Sequence, residues 1–196
     1  DILKIKFKDI HIGDLLYDGY LRYFNRATIK IDFNLFSLIN YSVGLSHRIH
    51  KIIDKYKIVE FISNFTNYPN SGIPVRSFLL NEIKTSAIGH DLNWYKELNI
   101  KDPRRAPNHK KYREDFEKLN QKDQKIKLGL EKLEKRVSGK NDIIGMRNSS
   151  FNDNKAEIKK IDGVVFLHDL FDAQHIYDGG MVFKDIYEWT VFTLDL

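Results

Sequence analysis

Apolar and polar residues alternate over residues 3–11 (LKIKFKDIH), a period of two that predicts a strand or short hairpin. Residues 12–25 (IGDLLYDGYLRYFN) read as a turn leading into a short helix, with Gly19 as an unfavourable interior residue. Between residues 33 and 56, Phe36, Ile39, Val43, Ile49, Ile52, Ile53 and Tyr56 form a helical stripe that predicts one long helix. Residues 57–63 (KIVEFIS) are β-branched and aromatic and predict a strand. A loop rich in turn residues follows at 67–74 (NYPNSGIP), then a short helix over 75–82 and a second strand over 83–88. Helix, strand, helix, strand in this order predicts an α/β fold with a parallel, helix-covered sheet.

The second half is patterned differently. Residues 101–111 (KDPRRAPNHKK) make a polar break with two of the four prolines. Beyond it, Tyr112, Phe116, Leu119, Ile126, Leu130, Leu133 and Val137 keep a heptad-like spacing, with Asp123 in the missing slot. That predicts one amphipathic helix on the outside of the fold, with Phe116, Leu119, Ile126 and Leu130 facing inward and the lysines exposed. Residues 138–160 read as a linker rich in Gly, Ser, Asn and Lys. An apolar run at 163–167 (GVVFL) predicts a central strand that ends at His168 and Asp169, before a loop to Gly180 and a closing helix over about 183–196. The expected organisation is an N-terminal α/β domain over 1–100, a basic helix and linker over 101–160, and the first strand and helix of a second α/β domain over 161–196.

Composition narrows the chemistry. Hydrophobic residues are 42% and aromatics 13% of the 196 residues, which excludes a disordered chain. The absence of cysteine excludes a disulfide framework, a Cys-ligated zinc site and a cysteine nucleophile, and suits a reducing compartment. No apolar run reaches the ~20 residues of a membrane-spanning helix. The net charge of +5 is local: residues 96–136 carry 14 Lys/Arg against 8 Asp/Glu, and the rest of the chain is nearly balanced. Such a stretch is either a solvated helix face or a contact for nucleic acid, anionic lipid or phosphorylated sugars. No GxxxxGK[ST], GxGxxG, GxSxG or HExxH is present, so P-loop, dinucleotide-fold, serine-hydrolase and zincin chemistry have no support.

Three segments carry candidate chemistry. The richest is 168–196, in which an apolar run delivers His168, Asp169, Asp172 and His175 within eight residues. At the carboxyl end of a parallel strand, such carboxylates and imidazoles can act as base, nucleophile or hydrogen-bond partners. The same aspartates also fit a purely structural role as turn caps, and His168 that of a core residue. His and Asp at these spacings are compatible with a metal, but the helical setting usual for a metal phosphohydrolase pair is missing, and no metal site is expected. In the second segment, Gly13 and Asp14 open a helix, and Tyr17, Tyr20 and Arg22 offer ring faces and a cation to a polar sugar; tyrosines at this spacing equally suit a core. The third, 70–76 (NSGIPVR), presents Arg76, whose fork fits a phosphate, a carboxylate or an ordinary salt bridge.

Taken together and in this order, 12–25, 70–76 and 168–196 resemble bacterial surface-carbohydrate proteins, glycosyltransferases of capsule or O-antigen biosynthesis with two Rossmann-like domains (GT-B type). The basic helix ending LEKRVSGKND (133–142) is similar to the segment that precedes the second domain there. Gln174 and Lys184 stand where that pattern has proline, while His168, Asp169, Asp172, His175, Asp185, Glu188 and Trp189 are in place. The resemblance implies transfer of a sugar from a nucleotide-activated donor to a glycan or lipid-linked glycan acceptor. It implies a cytoplasmic enzyme, peripheral at the inner membrane, without nucleic acid as a partner and without a cofactor. Asp169, Asp172 and His168 become the catalytic candidates, and His175, Arg76, Asp14, Tyr17, Arg22 and Glu188 the substrate-binding ones. It also implies that the chain, which begins at Asp1, lacks part of a second domain and is inactive alone. The alternative is a non-enzymatic α/β module whose basic helix contacts nucleic acid or anionic membrane.

Overall fold

The computed structural model describes residues 1–89, 94–105, 111–138, 164–175 and 181–195. Among them lie two small sheets and six α-helices, a mixed α/β arrangement. The chain divides into two compact units, Asp1–Pro107 with Phe166–Leu196, and Asn108–Val165.

The first unit opens on a hairpin. Strands β1 (Lys6–Phe7) and β2 (Ile10–His11) pair antiparallel, as the alternation predicts. The turn between them takes positive φ at both Lys8 and Asp9, the backbone twist that suits a two-residue hairpin. Helix α1 (Gly13–Phe24) follows at once, and every residue from Gly13 to Leu21 is buried. A helix covered on all sides is a core element. Leu15, Leu16, Tyr17, Tyr20 and Leu21 join Ile10, Ile12, Leu35, Leu38 and Ile73 in the main apolar cluster.

Helix α2 (Phe33–Lys55) matches the long helix expected, with the Asp32 side chain accepting from Leu35 N–H at 3.0 Å as its cap. Its inward face is not the stripe read from the large apolar residues. Leu35, Leu38, Ser42 and Ser46 are buried, whereas Phe36, Ile52 and Tyr56 are exposed. Small serines allow close approach of a neighbouring helix, which bulky side chains one position away would prevent.

Strand β3 (Glu60–Ser63) runs parallel to β4 (Lys84–Ile88), and β5 (Tyr95–Glu97) adds antiparallel on the other side of β4. The parallel pair expected from 57–63 and 83–88 is present, on a three-stranded scale. Between β3 and β4 lies α3 (Tyr68–Leu80), which absorbs the expected loop at 67–74 apart from its N-cap, Asn67. Pro69 sits in the first turn, where its missing N–H costs nothing, and Pro74 lies inside the helix. Gly19 explains why α1 and α3 can cross here: a Cβ at Gly19 would stand 2.6 Å from Pro69 Cδ.

In the second unit, the single amphipathic helix is two helices, α4 (Tyr112–Glu117) and α5 (Lys122–Val137), separated where Gln121 takes φ 57°. Neither buries a residue, and Phe116, Leu119, Ile126 and Leu130 are exposed rather than inward. The expected linker at 138–160 lies outside the described residues, apart from Ser138 at the end of α5.

The expected central strand at 163–167 is not formed. Residues 164–167 have no regular secondary structure, and Phe166 is 88% exposed; Gly163 lies outside the described residues. An apolar run becomes a strand only when a neighbour completes its hydrogen bonds, and among the described residues none does so. His168 and Asp169 therefore do not stand at a strand end. The closing helix is α6 (Ile186–Leu194), shorter than expected, with Tyr187, Val191, Phe192 and Leu194 exposed on it. None of the helices among the described residues is long and apolar enough to cross a membrane.

Candidate functional site

The segment after Phe166 is tied to α1 by two buried carboxylates on facing elements. Asp185 is fully buried and accepts from the Tyr17 hydroxyl at 2.6 Å and the Thr28 hydroxyl at 2.5 Å. Its other oxygen accepts from Glu188 N–H at 2.8 Å and so caps α6. Asp18, on α1, is 2% exposed and meets His175: Nδ1–H donates at 2.6 Å and the backbone N–H at 3.1 Å. Burial alone would depress the His175 pKa, but the Asp18 carboxylate outweighs it and raises it above the ordinary imidazole value. Gln174, where the resembled pattern has proline, braces the same loop. Its Nε2 donates to Leu170 O at 2.7 Å and its Oε1 accepts from Ile186 N–H at 2.8 Å. A hydrogen-bonded side chain here does the work of a rigid ring.

A second anchor lies at the start of α1. Asp14 and Arg76 form a two-pronged pair, 2.6 Å on each prong, and Arg76 also donates to His11 O. Both side chains are buried. Burial pushes the Asp14 pKa upward, but the guanidinium and His11 overcome this and hold it well below the usual carboxylate range. Asp14 and Arg76 thus spend their capacity on each other, and Tyr17, fully buried, spends its hydroxyl on Asp185. These three expected ligand contacts are framework residues. Glu188 is likewise turned back, accepting from Lys184 N–H at 3.2 Å as part of the α6 cap.

An open concavity lies elsewhere, a cleft of about 500 Å³ at the start of α3. Arg22 enters it from α1 and Asp172 from the C-terminal segment. Asn67, Tyr68, Asn70 and Ser71 line it from the N-terminus of α3, with Phe65 and Arg105 at its side. Tyr68 holds φ 59°, which is rare for a bulky residue and costs on the order of 1 kcal/mol or more. In that pose its hydroxyl donates to Asp172 Oδ1 at 2.8 Å. Ala173 N–H donates to the same oxygen at 2.8 Å. Burial pushes the Asp172 pKa up, yet these bonds and the charges of Arg22 and His168 outweigh it, so the carboxyl lies below its usual value. Asp172 is therefore ionised at neutral pH, a better acceptor of substrate hydrogen bonds than a base. Arg22 is exposed and makes no hydrogen bond or ion pair among the described residues. Arg105 packs its guanidinium 4.4 Å from the Phe65 ring centre and donates to Asn64 O.

The structure brings Arg22 and Asp172 together from opposite ends of the sequence and leaves the other catalytic candidates outside the cleft lining. His168 and Asp169 are exposed, and Asp169 caps a turn by accepting from Phe171 N–H at 3.2 Å. Sequence reasoning missed Asn67 and Tyr68 as lining residues because their segment read as a loop, not a helix start. It missed Asp18 because nothing local marks an aspartate that pairs with a histidine 157 positions away. Among the described residues, no three His, Cys, Asp or Glu side chains cluster to hold a metal.

Fold and cleft together define a mixed α/β protein with a polar, ligand-sized cleft between a helix start and a docked C-terminal segment. No known family model, no curated protein and no solved structure matches the chain.

Proposed function

We propose that this protein is a glycosyltransferase of the GT-B type, with Rossmann-like domains, that moves a sugar from a nucleotide-activated donor to a surface-polysaccharide acceptor. One observation carries the reading. Each of the three segments behind the resemblance sends side chains into the same cleft: Arg22 from 12–25, Asn70 and Ser71 from 70–76, and Asp172 from 168–196. Packing of α3 on α1 and docking of the C-terminal segment on α1 bring these residues, far apart in sequence, to one open, polar surface. A cation, an ionised carboxylate, two amides, a hydroxyl and aromatic rings are the groups that hold a sugar and its phosphate.

In this reading the Asp172 carboxylate accepts from sugar hydroxyls and faces the positive charge that develops at the anomeric carbon as the donor bond breaks. Asp14–Arg76, Tyr17–Asp185 and Asp18–His175 hold the cleft's walls in place. The test is sugar transfer by the gene product, with this chain assayed beside it, across a panel of nucleoside-diphosphate sugars. Asp172→Asn should cut the rate by ~100-fold, the scale for losing one preorganised charged group, with little change in stability. Near-wild-type transfer by Asp172→Asn, or no transfer from any donor, contradicts the proposal.

A further inference from the structure

Among the described residues of the second unit, nothing covers the apolar stripe of α5. The helix runs 16 residues and buries none of them. Ile126, Leu130, Leu133 and Val137 lie along one line of it and are between 43% and 79% exposed. Their spacing is that of a heptad, with Ile126 and Leu133 at d and Leu130 and Val137 at a. A line this narrow is the seam for one partner helix, whereas a helix lying on a globular core presents a broader apolar face. Asp123 stands on the same line and Glu134 beside it, carboxylates that an anionic lipid surface would repel.

The charges flanking the seam choose the partner and its direction. On one flank, the e positions hold Lys127 and Glu134; on the other, the g positions hold Gly129 and Arg136. Lay a second α5 antiparallel, with Leu130 against the partner's Leu133 and Ile126 against the partner's Val137. All four layers are then apolar, and Lys127 of each helix faces Glu134 of the other. Arg136 meets the partner's Gly129, which has no side chain to oppose it. A slip of one heptad would bury Asp123 against the partner's Leu133, so the register is set as well. In a parallel pair, Lys122 would face the partner's Lys127, and the two copies of Asp123 would meet inside the seam. Both contacts are repulsive.

We infer that α5 is a self-association surface, pairing antiparallel with α5 of a second copy of this chain about a two-fold axis. The inference goes beyond the transferase reading and uses no residue of the cleft. Four layers make a small seam, so the dimer is reversible, with a Kd on the order of 10 µM.

Sedimentation velocity of the chain from ~1 to ~200 µM tests it, and should show monomer passing to dimer. Leu130→Ala removes a seam side chain from both copies and should weaken the dimer by ~100-fold. The thermal midpoint of the monomer should not move, because Leu130 is 60% exposed within its own chain. Lys127→Glu and Glu134→Lys should each weaken association by about 10-fold, since each turns two attractions into two repulsions. Mixed in equal amounts, those two variants should recover the wild-type affinity as a heterodimer, in which each new charge faces its opposite on the other copy. Recovery between chains cannot come from a folding effect within one chain. A chain that stays monomeric throughout, a dimer indifferent to Leu130→Ala, or a mixture that fails to recover overturns the inference. So does a monomer that floats with phosphatidylglycerol vesicles, which would assign the stripe to lipid. A fall in the monomer's thermal midpoint with Leu130→Ala, which would assign the stripe to packing within the chain, overturns it too.

Discussion

At the scale of single residues, the sequence showed which side chains matter better than it showed what they do. Asp14, Tyr17 and Arg76 read as ligand contacts, and each is a buried cross-link to a partner 62 or 168 positions away. A lone carboxylate or phenol carries no mark of a distant partner, so the two roles cannot be told apart locally. Removing one member of the Asp14–Arg76 pair leaves the other charge buried, so Arg76→Leu should cost about 3–5 kcal/mol. Urea unfolding would check this, and a loss below about 1 kcal/mol would mean the pair is not buried as described. His175 makes a pH-dependent prediction. Its folded-state pKa is raised by Asp18, so the stabilisation is complete below the ordinary imidazole value of about 6.5 and is lost as pH rises through the folded value. Imidazole NMR titration should show a raised midpoint in the wild type that returns toward the ordinary value in Asp18→Asn. An ordinary or lowered midpoint in the wild type contradicts the pairing.

At the scale of elements, existence was more legible than boundaries or faces. The hairpin, α2, β3 and β4 lie where the sequence pattern predicts them, although α2 turns a different face inward. Helix α3 was obscured by Pro69, Gly72 and Pro74, which are turn residues by local preference and helix residues here because α1 and α2 pack over them. Gly72 shows the reason. A Cβ there would lie 2.4 Å from Leu15 Cδ2 and 2.8 Å from Thr66 O, so the glycine is a contact point between α1 and α3. Gly72→Ala should therefore destabilise by about 1–3 kcal/mol, despite alanine's better helix propensity. Thermal unfolding decides it, because a neutral or stabilising effect would show that the two helices do not approach this closely. The run at 163–167 failed in the opposite way. Its composition is that of a buried strand, yet 164–167 stay unpaired and exposed, because pairing is a property of two segments and composition describes one.

At the scale of the whole molecule, the α/β class was legible from element order, while the cleft was not, since it needs the C-terminal segment to return to α1. That return rests on Asp18, Gln174 and Asp185; in the sequence Asp185 stands out only as part of the motif, Gln174 only as a departure from it, and Asp18 not at all. In the proposed function the three motif segments meet to hold a nucleotide-linked sugar, and backbone amide NMR of the chain, titrated with the nucleoside-diphosphate sugar that binds it best, decides whether they do. Shifts should concentrate on Arg22, on residues 67–71 and on Asp172, and should saturate together with one dissociation constant. Shifts confined to α4 and α5, or scattered without saturation, would contradict it.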